Sequence, residues 1–301
     1  WYIDALSDDG RHALTFIAML GNVFSPFYAR ARAEGGGHDP LAFSAFNVAL
    51  YGPSKTAAWA LNERGRAEVH REPHALSIGA SSARWEGGDL VISLDEPDTP
   101  FLTSRLFKSG RIRGTVRVRP ETAHGEPLAI DGEGKHLWWP VLPHARVEVE
   151  MHEPAIRWKG SGYHDANAGD GPLEEAFRAW DWSRAQTRDG TVILYDVETL
   201  DGARTLHGRR IDARGGFHPV EAPRRCELPR SRWGVTRTTR TDAGGHATVQ
   251  RTLEDTPFYA RSVLTKRLYG EDVHAVHEAL DLRRFREDWV RFLLPFRMRR
   301  V

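Results

Sequence analysis

The feature that most restricts this chain is a period of two. "DLVISLDE" (89–96), "GRIRGTVRVRPE" (110–121), "HARVEVEM" (144–151), "GTVILYDVE" (190–198) and "GHATVQRTLED" (245–255) alternate apolar and polar residues between Gly, Pro and Asp breaks. Successive side chains of a β-strand point to opposite faces, so each stretch predicts a strand with one face buried. "ALTFIAMLG" (13–21) and "FSAFNVALYG" (43–52) are apolar runs closed by glycine, which predicts more deeply buried strands. Many strands at regular intervals point to an all-β sandwich or barrel rather than an α/β sheet. One segment differs. "GPLEEAFRAWDWSRA" (171–185) has Pro172 near its start, acids in its first turn, and Leu173, Phe177 and Trp180 at helical spacing, which predicts a short helix.

A chain of 301 residues suits two ordinary domains or one large one. "WYIDALSDDGRHALTFIAML" from Trp1 and "WSRAQTRDGTVILYDV" from Trp182 share an order: tryptophan, polar stretch, Asp-Gly turn, apolar strand. A duplicated β-domain leaves such an echo. The second copy then opens near Trp182, and residues 155–181 join the two. "SGYHDANAGDGP" (161–172) lies at that junction, where ligand clefts are common.

Charge narrows the partners. Lys plus Arg is 42 and Asp plus Glu is 41, so no nucleic-acid partner is expected. The single cysteine, Cys226, rules out an internal disulfide framework and any multi-cysteine metal site, and fits a reducing compartment. No run approaches the roughly 20 apolar residues of a membrane-spanning helix, and no signal peptide is visible. The opening "WYIDALSDDG" reads as mid-domain.

The stretch 161–172 gathers Tyr163, His164, Asp165, Asn167 and Asp170. It does not make a calcium loop of the EF-hand type. Counting from Asp165, position six is Asp170 instead of glycine, and position twelve is Ala176 instead of glutamate. A polar turn and a catalytic acid both remain open on these residues alone. "EGGGH" near Gly36 lacks the context of a phosphate loop, and no G-x-S-x-G nucleophile elbow occurs. His136, His144, His152 and His164 fall at even offsets, but nothing pairs them at zinc-ligand spacing. No metal and no cofactor are expected.

Ten tryptophans are many, and "HLWWP" (136–140) sets His136 beside Trp138 and Trp139. Such rings can simply fill a barrel. Combined with a carboxyl in an apolar cleft, they can do more. An ordinary aspartate is protonated about one time in a thousand at neutral pH; a rise of about three pKa units makes an even mixture, and such a group can act as a general acid. Aromatic faces stabilise a nearby cation by about 2 kcal/mol when desolvated. Together they are equipment for making a carbocation.

"WYIDALSDDGRHALTFIAMLGNVFSPFYA", "FNVALYG", "GYHDANAGDGPLEEAFRAWDWSRA" and "WVRFLLPFRM" resemble the carotenoid 1,2-hydratases of phototrophic bacteria, also called hydroxyneurosporene synthases. The likeness covers nearly the whole chain. It implies two lipocalin-like β-barrel domains with a short helical connection, divided as 1–160 and 161–301, with the substrate cleft at the junction. It implies cofactor-free addition of water to the terminal 1,2 double bond of an acyclic carotenoid such as lycopene or neurosporene. The family's catalytic set falls on His136 and Trp138 in "HLWW" and on Tyr163 and Asp165 in "GYHD", with Asp165 as proton donor. Asn167 and Asp170 then hold the turn through side-chain-to-backbone bonds. Related double barrels also act as polyene cyclases, and a barrel can be a non-catalytic lipophile carrier.

A water-insoluble substrate raises the question of delivery. "LRRFREDWVRFLLPFRMRR" (282–300) interleaves arginines with Phe285, Trp289, Phe292, Leu293, Leu294 and Phe296. One outcome is a final barrel strand with a packed tail. The other is peripheral contact with membrane lipid, placing the protein on the cytoplasmic side of the inner membrane, with Arg297, Arg299 and Arg300 facing an anionic leaflet.

Overall fold

All seven stretches form strands: Ala13–Met19, Ser44–Tyr51, Asp89–Pro97, Arg111–Pro120, His136–Glu153, Gly190–Thr199 and Ala247–Asp255. The computed structural model describes residues 1–35, 38–99, 110–122, 124–212 and 214–301. Gly36 and Gly37 of "EGGGH" lie outside them. The architecture is all-β, built of curled antiparallel sheets with few, short helices. Among the described residues no helix is long and apolar enough to cross a membrane.

The chain forms two compact units that are discontinuous in sequence. The first comprises Trp1–Thr122, Pro140–Asn167 and Arg291–Val301; the second comprises Ala123–Trp139 and Ala168–Val290. This differs from a single cut between 160 and 161. Strand pairing, which joins residues far apart in sequence, sets the division.

In the first unit, the strand Tyr2–Ser7 lies between Ala13–Met19 and Ile156–Gly169, which His136–Glu153, Arg111–Pro120 and Asp89–Pro97 then extend. In the second, Phe177–Thr187 lies between Gly190–Thr199 and Glu271–Asp281, followed by Tyr259–Leu268 and Ala247–Asp255. Each sheet thus pairs its opening strand with the second strand on one side and a late strand on the other. The tryptophan echo marks the two opening hairpins, closed by Leu6 opposite Ala13 and by Thr187 opposite Gly190.

Alternation builds the cores. In the first unit Ile3, Phe16, Phe46, Val48, Ile92, Val116 and Val147 pack together, with the Phe16 and Phe46 rings 5.0 Å apart. In the second, Val192, Leu194, Leu264, Leu268 and Val273 do the same. Each such buried side chain contributes roughly 1.5–3 kcal/mol.

Three expectations change. The predicted helix is one turn, Leu173–Ala176, and the strand Phe177–Thr187 starts directly after it. Ladders on both sides, with Trp182 opposite Tyr195 and Glu278, satisfy that backbone and override local helix preference. Residues 155–181 are not a plain connection, because Ile156–Gly169 is a full strand of the first sheet. The open reading of a polar turn gives way to a strand, and Gly162 marks close approach: a Cβ there would collide with Val147 Cγ2. The C-terminal segment follows the last long strand, Glu271–Asp281, as a packed tail that ends in a short strand of the first sheet, and its Arg297 and Arg300 are not left facing outward. Two short helices, Leu282–Phe285 and Asp288–Leu293, lead to Arg299–Arg300, which pairs in parallel with Asn62 and Glu63. Arg300 Nη1 meets the buried Glu63 carboxylate at 2.8 Å, and the Arg297 guanidinium lies 4.1 Å from the Trp59 ring centre. Two of the three arginines expected to face a leaflet are therefore held by the first unit itself.

Candidate active site

The strand Ile156–Gly169 places Tyr163, Asp165 and Asn167 on one face, because side chains two apart in a strand point the same way. Its neighbour Tyr2–Ser7 sets Asp4 opposite Tyr163 and Tyr2 opposite Asp165. Tyr163 is 0% and Asp165 4% exposed. The Tyr163 hydroxyl donates to Asp165 Oδ2 at 2.9 Å, and Asn167 Nδ2 donates to Oδ1 at 3.1 Å. Asn167 therefore holds the carboxyl group, not the turn. His164, on the opposite face, is 1% exposed, with Nδ1 3.0 Å from the Tyr2 carbonyl oxygen and its ring against Trp1 and Trp85. Asp170 is exposed beyond the strand end, and its backbone N–H donates to the Lys135 carbonyl.

The strand His136–Glu153 does the same for the second pair. His136 and Trp138 share one face and are buried, while Leu137 and Trp139 on the other are 39% and 38% exposed. His136 Nδ1 lies 2.8 Å from Asp131 Oδ2, and Nε2 is buried without a hydrogen-bond partner among the described residues. Burial pushes Asp131 up, but hydrogen bonds from His136 and Gly134 outweigh it and hold its carboxyl below the ordinary range. The His136 ring is edge-on to Phe177 at 4.9 Å. Trp138 meets Tyr195 at 5.5 Å, and Tyr195 meets Trp180 at 5.9 Å, both T-shaped.

Tyr163 and Asp165 are thus joined by a hydrogen bond in the first unit, and His136 and Trp138 share a strand face in the second. Among the described residues, no three His, Cys, Asp or Glu side chains are grouped to hold a metal ion. Sequence reasoning missed Asp4 and Asp131. Asp4 sits in the opening hairpin at 1% exposure, and only strand register places it opposite Tyr163. Asp131 lies five residues before His136 in "DGEGKH", where an acid in a glycine turn just ahead of a histidine was the available signal.

A family model described as carotenoid hydratase CrtC matches residues 16–301. The chain belongs to that family. It is 47% identical to the acyclic carotenoid 1,2-hydratase of Thiocapsa roseopersicina over 100% of this chain and 72% of that protein. To the enzyme of the same name from Rubrivivax gelatinosus it is 43% identical, again over 100% of this chain and 72% of that protein. The membership agrees with the resemblance carried by stretches such as "GYHDANAGDGPLEEAFRAWDWSRA" and "WVRFLLPFRM", and it makes the chain a member of an enzyme family. Among solved structures it is similar to a candidate AttH from Nitrosomonas europaea, with a TM-score of 0.59, 14% identity, and coverage of 93% of this chain and 90% of that one. At that identity the likeness speaks for the lipocalin-like fold alone.

Proposed function

We propose that this chain adds water across the terminal 1,2 double bond of an acyclic carotenoid of the lycopene or neurosporene type. Asp165, as the neutral acid, gives its proton to C2 of the terminal isopropylidene group. A tertiary cation forms at C1, stabilised by the π-faces of Tyr163 and Trp138. Water adds to C1 and its proton passes to a base, giving a tertiary alcohol. Every step uses side chains of this chain and water.

The observation that carries this mechanism is the buried Asp165 carboxyl with a donor at each oxygen. Two opposing effects act on it. Burial favours the protonated form, so a proton is present to give. Donors from Tyr163 and Asn167 stabilise the carboxylate left behind, so the proton can be given to a base as weak as an alkene. Identity of 47% and 43% over the whole of this chain to named acyclic carotenoid 1,2-hydratases supports the substrate class.

We also propose peripheral contact with membrane lipid at the cytoplasmic face of the inner membrane. The helix Asp288–Leu293 supports it: Trp289 is 43% and Phe292 70% exposed, beside the exposed Arg291.

The test is incubation of purified protein with lycopene in detergent and in liposomes, followed by mass spectrometry. A product heavier by one water supports the proposal. Recovery of lycopene unchanged points to a carrier, and an isomer of unchanged mass to a cyclase; either outcome overturns it.

A further inference from the structure

Resting on the hydratase reading, we infer that Asp131 is a positioning residue that fixes the tautomer of His136, so that Nε2 accepts the proton of the water that adds to the substrate. The geometry begins with a neutral imidazole, which has one N–H and one lone pair; the hydrogen bond made by one nitrogen decides which is which. A carboxylate is an acceptor only. Asp131 Oδ2, 2.8 Å from Nδ1, therefore places the N–H on Nδ1 and leaves the lone pair on Nε2. The two side chains are 9% and 5% exposed, so little water competes for this bond.

Nε2 is buried and has no hydrogen-bond partner among the described residues. A buried polar atom left unpaired costs free energy unless something is bound there. A lone pair in that state is suited to one occupant above others: a water molecule that donates to it. The ring cannot easily turn away. Phe177 stands edge-on at 4.9 Å, and a Cβ on Gly169 would lie 2.7 Å from Cδ2 and 3.2 Å from Nε2. Only glycine leaves room for the ring at that position.

The proton balance follows. As water oxygen bonds to C1, one water proton moves to His136 Nε2, and the imidazolium is stabilised by the Asp131 carboxylate at Nδ1. Asp165 has by then lost its proton to C2. The cycle closes when the imidazolium releases its proton to solvent and the Asp165 carboxylate regains one from solvent. Asp131 touches no reacting atom; it acts through His136.

The tautomer is read directly by nitrogen-15 NMR of histidine-labelled protein, assigned with His136→Gln. The native chain should show His136 with N–H at Nδ1 and a bare Nε2. Asp131→Asn keeps the size but removes the charge and offers an amide donor to Nδ1. It should shift His136 toward the Nε2–H form and lower kcat for lycopene hydration by roughly 100-fold or more, with KM within about threefold. Asp131→Glu should restore part of kcat, a rescue that loss of packing alone would not give. A native His136 protonated at Nε2, or a folded Asp131→Asn chain with native kcat, overturns the inference. If the native chain shows the Nδ1–H tautomer but no variant, native included, hydrates lycopene, the hydratase reading fails while the Asp131–His136 assignment stands.

Discussion

The Tyr163 hydroxyl and Asp165 Oδ2 are 2.9 Å apart, on side chains two residues apart along one face of one strand. That relationship separates two roles that sequence cannot. Asp165→Asn keeps the shape and removes the transferable proton, so hydration of lycopene should fall to background while circular dichroism stays native. Tyr163→Phe keeps the ring and removes the donor; kcat should fall by about tenfold, the cost of one hydrogen bond to a charged group. Near-native turnover by Asp165→Asn would move the acid elsewhere. It would not move to Asp170, which is exposed.

Trp138 is fully buried and T-shaped against Tyr195. Trp138→Phe keeps a weaker π-face and should retain part of the activity. Trp138→Ala loses the face and leaves a cavity, so both kcat and melting temperature should fall, the latter from a loss of about 3–5 kcal/mol. Equal kcat for the two variants would reduce Trp138 to wall packing.

Lys266, in the second unit, is wholly buried, with Nζ donating to Ser183 Oγ at 3.0 Å and Thr239 Oγ1 at 3.2 Å. Burial pushes its pKa down to about 8. An unfolded lysine titrates near 10.4, so between those values the unfolded chain binds more protons and folding stability rises with pH. Below about pH 8 both states are charged, and the folded chain bears the full cost of burying that charge, at most about 3 kcal/mol. Lys266→Met should therefore melt higher at pH 7, and its advantage should shrink from pH 8 to 10.5. An advantage that does not change with pH in urea titrations would count against a buried charged lysine.

The C-terminal segment divides into held and exposed side chains. Arg300→Gln removes the ion-pair partner of the buried Glu63 carboxylate, whose pKa burial already pushes up, and should cost about 1–2 kcal/mol of stability by denaturant titration. Replacing Trp289 and Phe292 together by Ala should leave the melting temperature within a few degrees but weaken sedimentation with anionic liposomes by several-fold. Unchanged sedimentation of the double variant would end the case for this helix as the lipid contact.

The sequence by itself determined the strands and the nature of the family. A period of two is a local property, imposed by the pleat on every strand whose two faces meet different surroundings, so "GRIRGTVRVRPE" and "GTVILYDVE" could be read without a partner. "GYHD" and "HLWW" carried the candidate site residues only through the family resemblance. What the sequence could not carry was pairing. "GPLEEAFRAWDWSRA" reads as a helix until two neighbouring strands claim its backbone, and "SGYHDANAGDGP" reads as a loop until Tyr2–Ser7 lies alongside it. Asp4 opposite Tyr163 is a matter of register. Asp131 on His136 depends on how a glycine turn closes onto a strand. Arg300 on Glu63 joins residues 237 apart. Pairing between distant segments depends on the whole chain's packing, so the Asp4 register and the Arg300–Glu63 bond were decided by tertiary structure.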